Sequence, residues 1–434
     1  MSRMAGLFMV LGLVLLTRTL LGDATTTAAD AALGLGFVLI TAYLAGLYIR
    51  RFQLPSVTGY LLTGMLCGPF LLSRTHPVLA VLNQPVVDTL RLLDAVALGM
   101  IALNAGGRLR IATVQGHLHT ILAVAVLQVA FVSLAVGTLV YFGGGYLGMG
   151  EIPPVLIPVL ALLFGVIATA NSPATALAVI QEYKASGPVT DVVLAVTVVK
   201  DVVVITLFTL TLSLASLMLN PQEVADAAGP ALLAWEVLGS ILAGLLLGWL
   251  VALYMERMGH EVPLLVLGVS FLSVTALPAL HLSGMLALMI AGATIENFSP
   301  HGEALLRAVE RHSLPVFVVF FTIAGASLNL DALWTSLPFA LSLMLTRLAG
   351  TYLGTASGAS LSNAPRSVRN YSWSGFVAQA GVSLGFLTLV GQRLPEVAPV
   401  LTTGVLALIA LNQVLGPVLF RFGLAWSGET KETP

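Results

Sequence analysis

The chain has 434 residues, of which 58% are hydrophobic and 9% charged, and its mean hydropathy is +0.98. A soluble domain cannot be built with so little charge, so lipid is the solvent over most of the sequence. The formal net charge of −1 offers nothing to nucleic acid, and the single cysteine, Cys67, excludes an intrachain disulfide and a cysteine-cluster metal site.

The first apolar run, 4–22, contains Arg18 and lacks a small-x-small end, so it reads as a retained extra helix in preference to a cleaved signal segment. A polar stretch, 23–30, follows it. Runs long enough to span roughly 30 Å of hydrocarbon are then predicted at 31–49, 57–73, 87–107, 117–142, 154–181, 190–219, 230–255, 262–280, 282–297, 312–328, 333–357, 372–391 and 396–424. The prediction is an all-α polytopic membrane protein with thirteen core helices and a short tail at 425–434. Cytoplasmic loops collect Lys and Arg. Twelve basic residues fall in the odd-numbered loops and the tail, against Arg74 and Arg393 in the even ones. The odd loops and the C-terminus are therefore expected in the cytoplasm.

Two of these runs are interrupted at mid-depth. IATANSPAT at 167–175 places Pro173 where its ring and missing N–H break a helical ladder. GFVAQAGVS at 375–383 places Gln379, Gly381 and Ser383 at a similar depth. Irregular backbone at that level survives only inside protein or along an aqueous cavity. Paired interrupted helices in corresponding halves point to a transport site. Both interruptions fall in the fifth helix of a six-helix set. The expected organisation is a segment 1–30, a first inverted repeat at 31–219 with core helices at 117–219, a linker helix at 230–255, and a second repeat at 262–424 with core helices at 333–424.

Lys200 and Asp201 stand side by side in VTVVKDVVVI, in the middle of an apolar helix. Ionisable groups at the bilayer centre cost about 2.5–3.5 kcal/mol each on insertion scales and persist mainly where they pair or line an ion path. Adjacent helical residues lie about 100° apart, so the two need not face one another. Asp201 reads as a transport carboxylate or as the partner of Arg347 in a structural ion pair; Lys200 reads as a charge near the pathway or as a packing device. Thr169, Asn171, Ser172 and Gln379 either coordinate an ion or satisfy backbone groups freed at the breaks. Thr197 shares the Asp201 face, and Asp94 lies deep enough to belong to an access path or an ion pair. No Gly-x-Ser-x-Gly elbow or metal-spaced cluster is present, so an enzyme is not expected, nor a cofactor, nor a metal beyond a transported cation.

Several stretches in order resemble the monovalent cation:proton antiporter superfamily, in its branch of bacterial potassium-efflux and sodium/proton exchangers. They are LPSVTGYLLTGMLCGP at 54–69, GMLALMIAG at 284–292, FFTIAGASLNL at 320–330 and QAGVSLG at 379–385. The resemblance covers roughly 31–424. It implies a homodimer with a panel-like dimerisation domain and a six-helix core, in which two broken helices cross beside an ion-binding aspartate. That aspartate falls on Asp201 and the basic residue of the eleventh helix on Arg347. Lys200 stands where relatives commonly carry Asp, Asn or Gln, and Val382 where many carry Glu. The expected activity is electroneutral exchange of protons for sodium or potassium across the inner (plasma) membrane. The Lys200 and Arg347 charges leave proton-coupled anion transport as the alternative, and a sensor or channel on the same scaffold as another.

Overall fold

The computed structural model describes residues 12, 27–52, 54–71, 81–90, 92–107, 109, 111–143, 152–219, 229–258, 261–328, 331, 334, 336–379 and 382–430. Apart from Gly12, the predicted helix at 4–22 lies outside them. Every regular element is helical: α1 (Thr27–Ile49), α2 (Ser56–Cys67), α3 (Gln84–Leu90), α4 (Leu92–Gly107), α5 (Ile111–Gly143), α6 (Ile157–Ile167), α7 (Pro173–Glu182), α8 (Pro188–Leu219) and α9 (Gly229–Arg257) make the first part. Then follow α10 (Val262–Ala276), α11 (Gly284–Phe298), α12 (Gly302–Ala326), α13 (Leu337–Leu361), α14 (Arg366–Tyr371), α15 (Val382–Arg393) and α16 (Ala398–Ser427). Short 3₁₀ turns at Arg50–Phe52, Leu277–Leu280 and Ser372–Phe376 join some of them.

Among the described residues, six helices are long and apolar enough to cross a membrane, and a seventh crossing is made by 302–309 and 311–326, bent by 47°. Shorter apolar helices such as α2 and α11 pack between them. Large apolar side chains point outward, among them Leu242, Leu264, Leu272 and Trp249. This is the surface of a multi-pass membrane protein, whose outer solvent is hydrocarbon.

Several boundaries depart from the sequence expectation for local reasons. Helix α1 is described from Thr27, inside the predicted polar stretch, where alanines favour helix. Helix α2 stops at Cys67, not 73, because Gly68 is extended ahead of Pro69. Helix α12 begins at Gly302, ten residues before the apolar run; its first turns are polar and carry the exposed pair Arg307–Glu303 at 3.0 Å. Apolarity marks the membrane part of a helix, not its solvated end.

The helices pack as two groups. Helices α5–α8 and α13–α16 form one, centred on α5 and α13. Helices α1, α2, α4 and α9–α12 form the other, centred on the pairs α2/α12 and α4/α11. Close backbone approach fixes both. A Cβ on Gly350, Gly354 or Gly358 of α13 would lie 3.0, 2.5 or 2.6 Å from the Cα of Val132, Gln128 or Val124 on α5. In the other group, a Cβ on Gly106 would lie 1.8 Å from the Met289 carbonyl, and one on Gly64 1.9 Å from that of Thr322. Small residues of this kind let membrane helices gain packing contact where no hydrophobic effect drives association.

At one end of the molecule the groups meet through Glu182, the last residue of α7. Its carboxylate accepts from the Ser56 N–H at 2.9 and 2.8 Å and from Ser56 Oγ at 2.7 Å, with Arg50 Nε at 3.6 Å. Residues of α1, α2, α7 and α12 line a cavity of about 660 Å³ beside this contact.

Candidate functional site

The first interruption follows from its sequence. Helix α6 ends at Ile167, the chain turns at 168–169 and is extended at Ser172, and α7 starts at Pro173. Ser172 accepts from Thr175 N at 3.3 Å, so a serine N-cap precedes a proline at the first helical position. The second interruption has a 3₁₀ turn ending at Phe376, then residues 377–379 without helix, then α15 from Val382. The two breaks touch: the Ser172 N–H donates to the Ala378 carbonyl at 2.8 Å.

Breaking two helices leaves carbonyls without helical donors in a buried place, where each unsatisfied group costs about 1–3 kcal/mol. Arg347, on α13 and 1% exposed, answers most of them. Its guanidinium donates to Ala168 O at 2.7 Å and Ala170 O at 2.9 Å on one break, and to Val377 O at 2.6 Å and Phe376 O at 3.1 Å on the other. A positive group at two helix C-terminal ends also suits their negative partial charge. The ion pair between Arg347 and Asp201 considered from the sequence is not formed among the described residues.

Gln379 completes the set. Its Nε2 donates to Ile167 O and to Ser383 Oγ, both at 2.9 Å, and its Oε1 accepts from Asn412 Nδ2 at 3.2 Å. Thr169 Oγ1 donates to Val166 O at 2.7 Å. The polar atoms of Thr169, Ser172 and Gln379 thus hold the breaks themselves.

Asn171 differs. Its Nδ2 donates to Thr197 Oγ1 at 3.2 Å, while its Oδ1 is buried with no hydrogen-bond partner. Thr197 precedes Asp201 by one turn on α8, so Asn171 lies over the Asp201 face of that helix. Asp201 is 7% exposed, and its carboxylate has no hydrogen bond or ion pair among the described residues. Lys200, 1% exposed, turns elsewhere: its Nζ donates to Gln128 Oε1 and lies 5.5 Å from the Phe376 ring centroid. Asp94 falls on α4, with its side chain outside the described residues. Among those residues no group of three or more His, Cys, Asp or Glu gathers as a metal site; a transported cation would be substrate.

Gln128, Thr355, Asn412 and Gln413 were not singled out from the sequence, yet all four are buried in this network. Amides at the centre of apolar helices are themselves a signal, carried here by Gln128 and by the pair Asn412–Gln413.

An all-helical, multi-pass bundle with two interrupted helices bonded at their breaks beside a buried carboxylate is the architecture of a secondary transporter. The profile of the transmembrane sodium/hydrogen exchanger family matches residues 36–422. The chain belongs to that family and to the monovalent cation:proton antiporters. Its fold is similar to the sodium proton antiporter MjNhaP1 from Methanocaldococcus jannaschii in a structure at pH 8, with TM-score 0.63 and 18% identity over 92% of this chain and 96% of that one. An electron-microscopy structure of the same antiporter aligns with TM-score 0.67 and 19% identity over 91% and 95%. A comparison with curated protein sequences finds no match.

Proposed function

We propose that the protein exchanges sodium ions for protons by alternating access, with Asp201 as the site both ions share. The observation that carries this reading is a nearly buried carboxylate, free of hydrogen bonds and ion pairs among the described residues, on the α8 face that Asn171 overlies. Such a group binds a proton or a desolvated cation, one at a time, and that competition couples the two flows. The unpartnered Asn171 Oδ1 is the neutral oxygen placed to join Asp201 around a cation. Asp201 stands roughly 20 Å along its 32-residue helix, close to its middle.

Sodium is preferred over potassium because the family is one of sodium/hydrogen exchangers and the structural relative MjNhaP1 is a sodium proton antiporter. Anion transport loses its motive: Arg347 spends its donors on four carbonyls and Lys200 donates to Gln128. With one carboxylate cycling, one proton is exchanged per cation and the reaction moves no net charge.

The group around α5 and α13 is the moving core, and the group around α2/α12 and α4/α11 is the panel that dimerises. Inverted repeats are supported by those pairings. If α1–α8 and α10–α16 are the halves, α2/α12 and α4/α11 are the same contact seen twice, and α5/α13 lies on the axis. The basic-loop bias supports a cytoplasmic C-terminus, with the plasma membrane as the proposed location. Proteoliposomes with an imposed pH gradient test the reading. The intact protein should exchange sodium for protons with no response to membrane potential, and Asp201→Asn should fold and lose exchange. Wild-type exchange by Asp201→Asn would remove the shared site, and a response to potential would remove the one-to-one stoichiometry.

A further inference from the structure

The Lys200 ammonium occupies what would serve any cation: an amide oxygen and an aromatic face. Gln128 is oriented in advance, because its Nε2 donates to Thr355 Oγ1 at 2.8 Å and leaves Oε1 for Lys200. The face of Phe376 adds a cation–π contact at 5.5 Å. The Cβ-less Gly354 lets α13 close on α5 at Gln128 itself. The ammonium is therefore tied sideways to α5 and to the 3₁₀ turn at Ser372–Phe376, about 100° around the helix from Asp201.

We propose that Lys200 is a stationary counter-charge that sets the pH window of exchange without choosing the ion. The proposal rests on Asp201 as the shared site. A proton and an alkali cation each bring one positive charge to that carboxylate. A fixed positive charge nearby weakens both by the same factor, so their competition is preserved while both affinities shift together. The charged groups facing Lys200 are Asp201 on its own helix and Arg347 on α13. Residues 120–140 of α5, all of α6 and residues 372–376 bring no acidic or basic side chain, and α14 carries Arg366 and Arg369 outside the buried zone. Arg347 is committed to the backbone of both breaks. Lys200 is thus the positive group that can be altered while the breaks keep their hydrogen bonds.

The test is sodium-driven exchange by the full-length protein in proteoliposomes, followed with a trapped pH dye across a range of pH. The variants are Lys200→Met, Lys200→Arg and Gln128→Glu. Gln128→Glu is nearly isosteric and sets a carboxylate against the ammonium, so it neutralises Lys200 without removing it. Lys200→Met and Gln128→Glu are both expected to move the exchange midpoint to more alkaline pH by about one unit, and to raise apparent sodium affinity on the alkaline side about tenfold. Relative affinities among alkali cations should hold, and Lys200→Arg should keep the original midpoint. An unmoved midpoint in both neutralising variants overturns the proposal, as does a changed ion preference; if Lys200→Met does not fold, Gln128→Glu decides alone. Asp201→Asn is measured in parallel. If it still exchanges, the shared site fails, whereas its loss of exchange beside an unmoved midpoint in Gln128→Glu removes only the role of Lys200.

Discussion

The two helix breaks look alike in sequence and are treated differently by the fold. At the second, the freed backbone is bound: Phe376 and Val377 carbonyls by Arg347, and the Gln379 amide between Ile167, Ser383 and Asn412. At the first, the carbonyls are also taken, yet Asn171 keeps an oxygen buried and unpartnered over the Asp201 helix. The broken segment of one is bound throughout its described polar side chain, and that of the other keeps one side-chain oxygen without a partner. The second network also holds a buried amide oxygen without a partner, Asn412 Oδ1, but on a helix that packs behind the break and not on the broken segment itself.

That contrast is broken most severely at Arg347. Arg347→Met would leave four carbonyls without donors, at about 1–3 kcal/mol each, and should abolish both exchange and the folded protein, read by thermal unfolding in detergent. Arg347→Lys should recover only part of the stability, since an ammonium cannot reproduce the planar fork that spans both breaks. A melting temperature unchanged by Arg347→Met would show that the breaks are held some other way.

Gln379→Leu keeps the volume and removes three hydrogen bonds. It should cost about 2–3 kcal/mol, lowering the melting temperature by several degrees while the apparent sodium affinity of the surviving protein changes little. A large loss of affinity without loss of stability would make Gln379 a ligand and erase the distinction between the breaks. The converse holds for Asn171→Ala. It deletes one hydrogen bond at 3.2 Å and should cost about 1 kcal/mol or less, yet weaken apparent sodium affinity several-fold. Unchanged sodium affinity would return Asn171 to a structural role.

The sequence made both breaks visible because Pro173 and the polar run through Gln379 interrupt otherwise continuous apolar helices. It also isolated Lys200, Asp201 and Arg347, since charge is scarce at that depth. What it could not give was direction. Nothing in the spacing says that Arg347 reaches carbonyls and leaves Asp201 alone, because that depends on where two chain segments distant in sequence cross. Gln128 was passed over for a related reason: a single amide in an apolar helix gains meaning only once its neighbour across α13 and the Lys200 side chain are known. The start of α12 at Gly302 lies beyond the apolar run because an apolarity window ends where lipid ends.

The Glu182 contact has a mechanical meaning. Any travel of α7 along α2 beyond hydrogen-bond reach must separate one carboxylate from the Ser56 N–H, the Ser56 hydroxyl and Arg50 together. Bonds to an ionised acceptor are about twice as strong as neutral ones. Resistance to sliding therefore gathers at this rim, where the Ser313 hydroxyl on α12 also donates to the Gln181 side-chain oxygen on α7 at 3.3 Å, as in a detent: the two helix groups are held in one register until these side-chain grips let go.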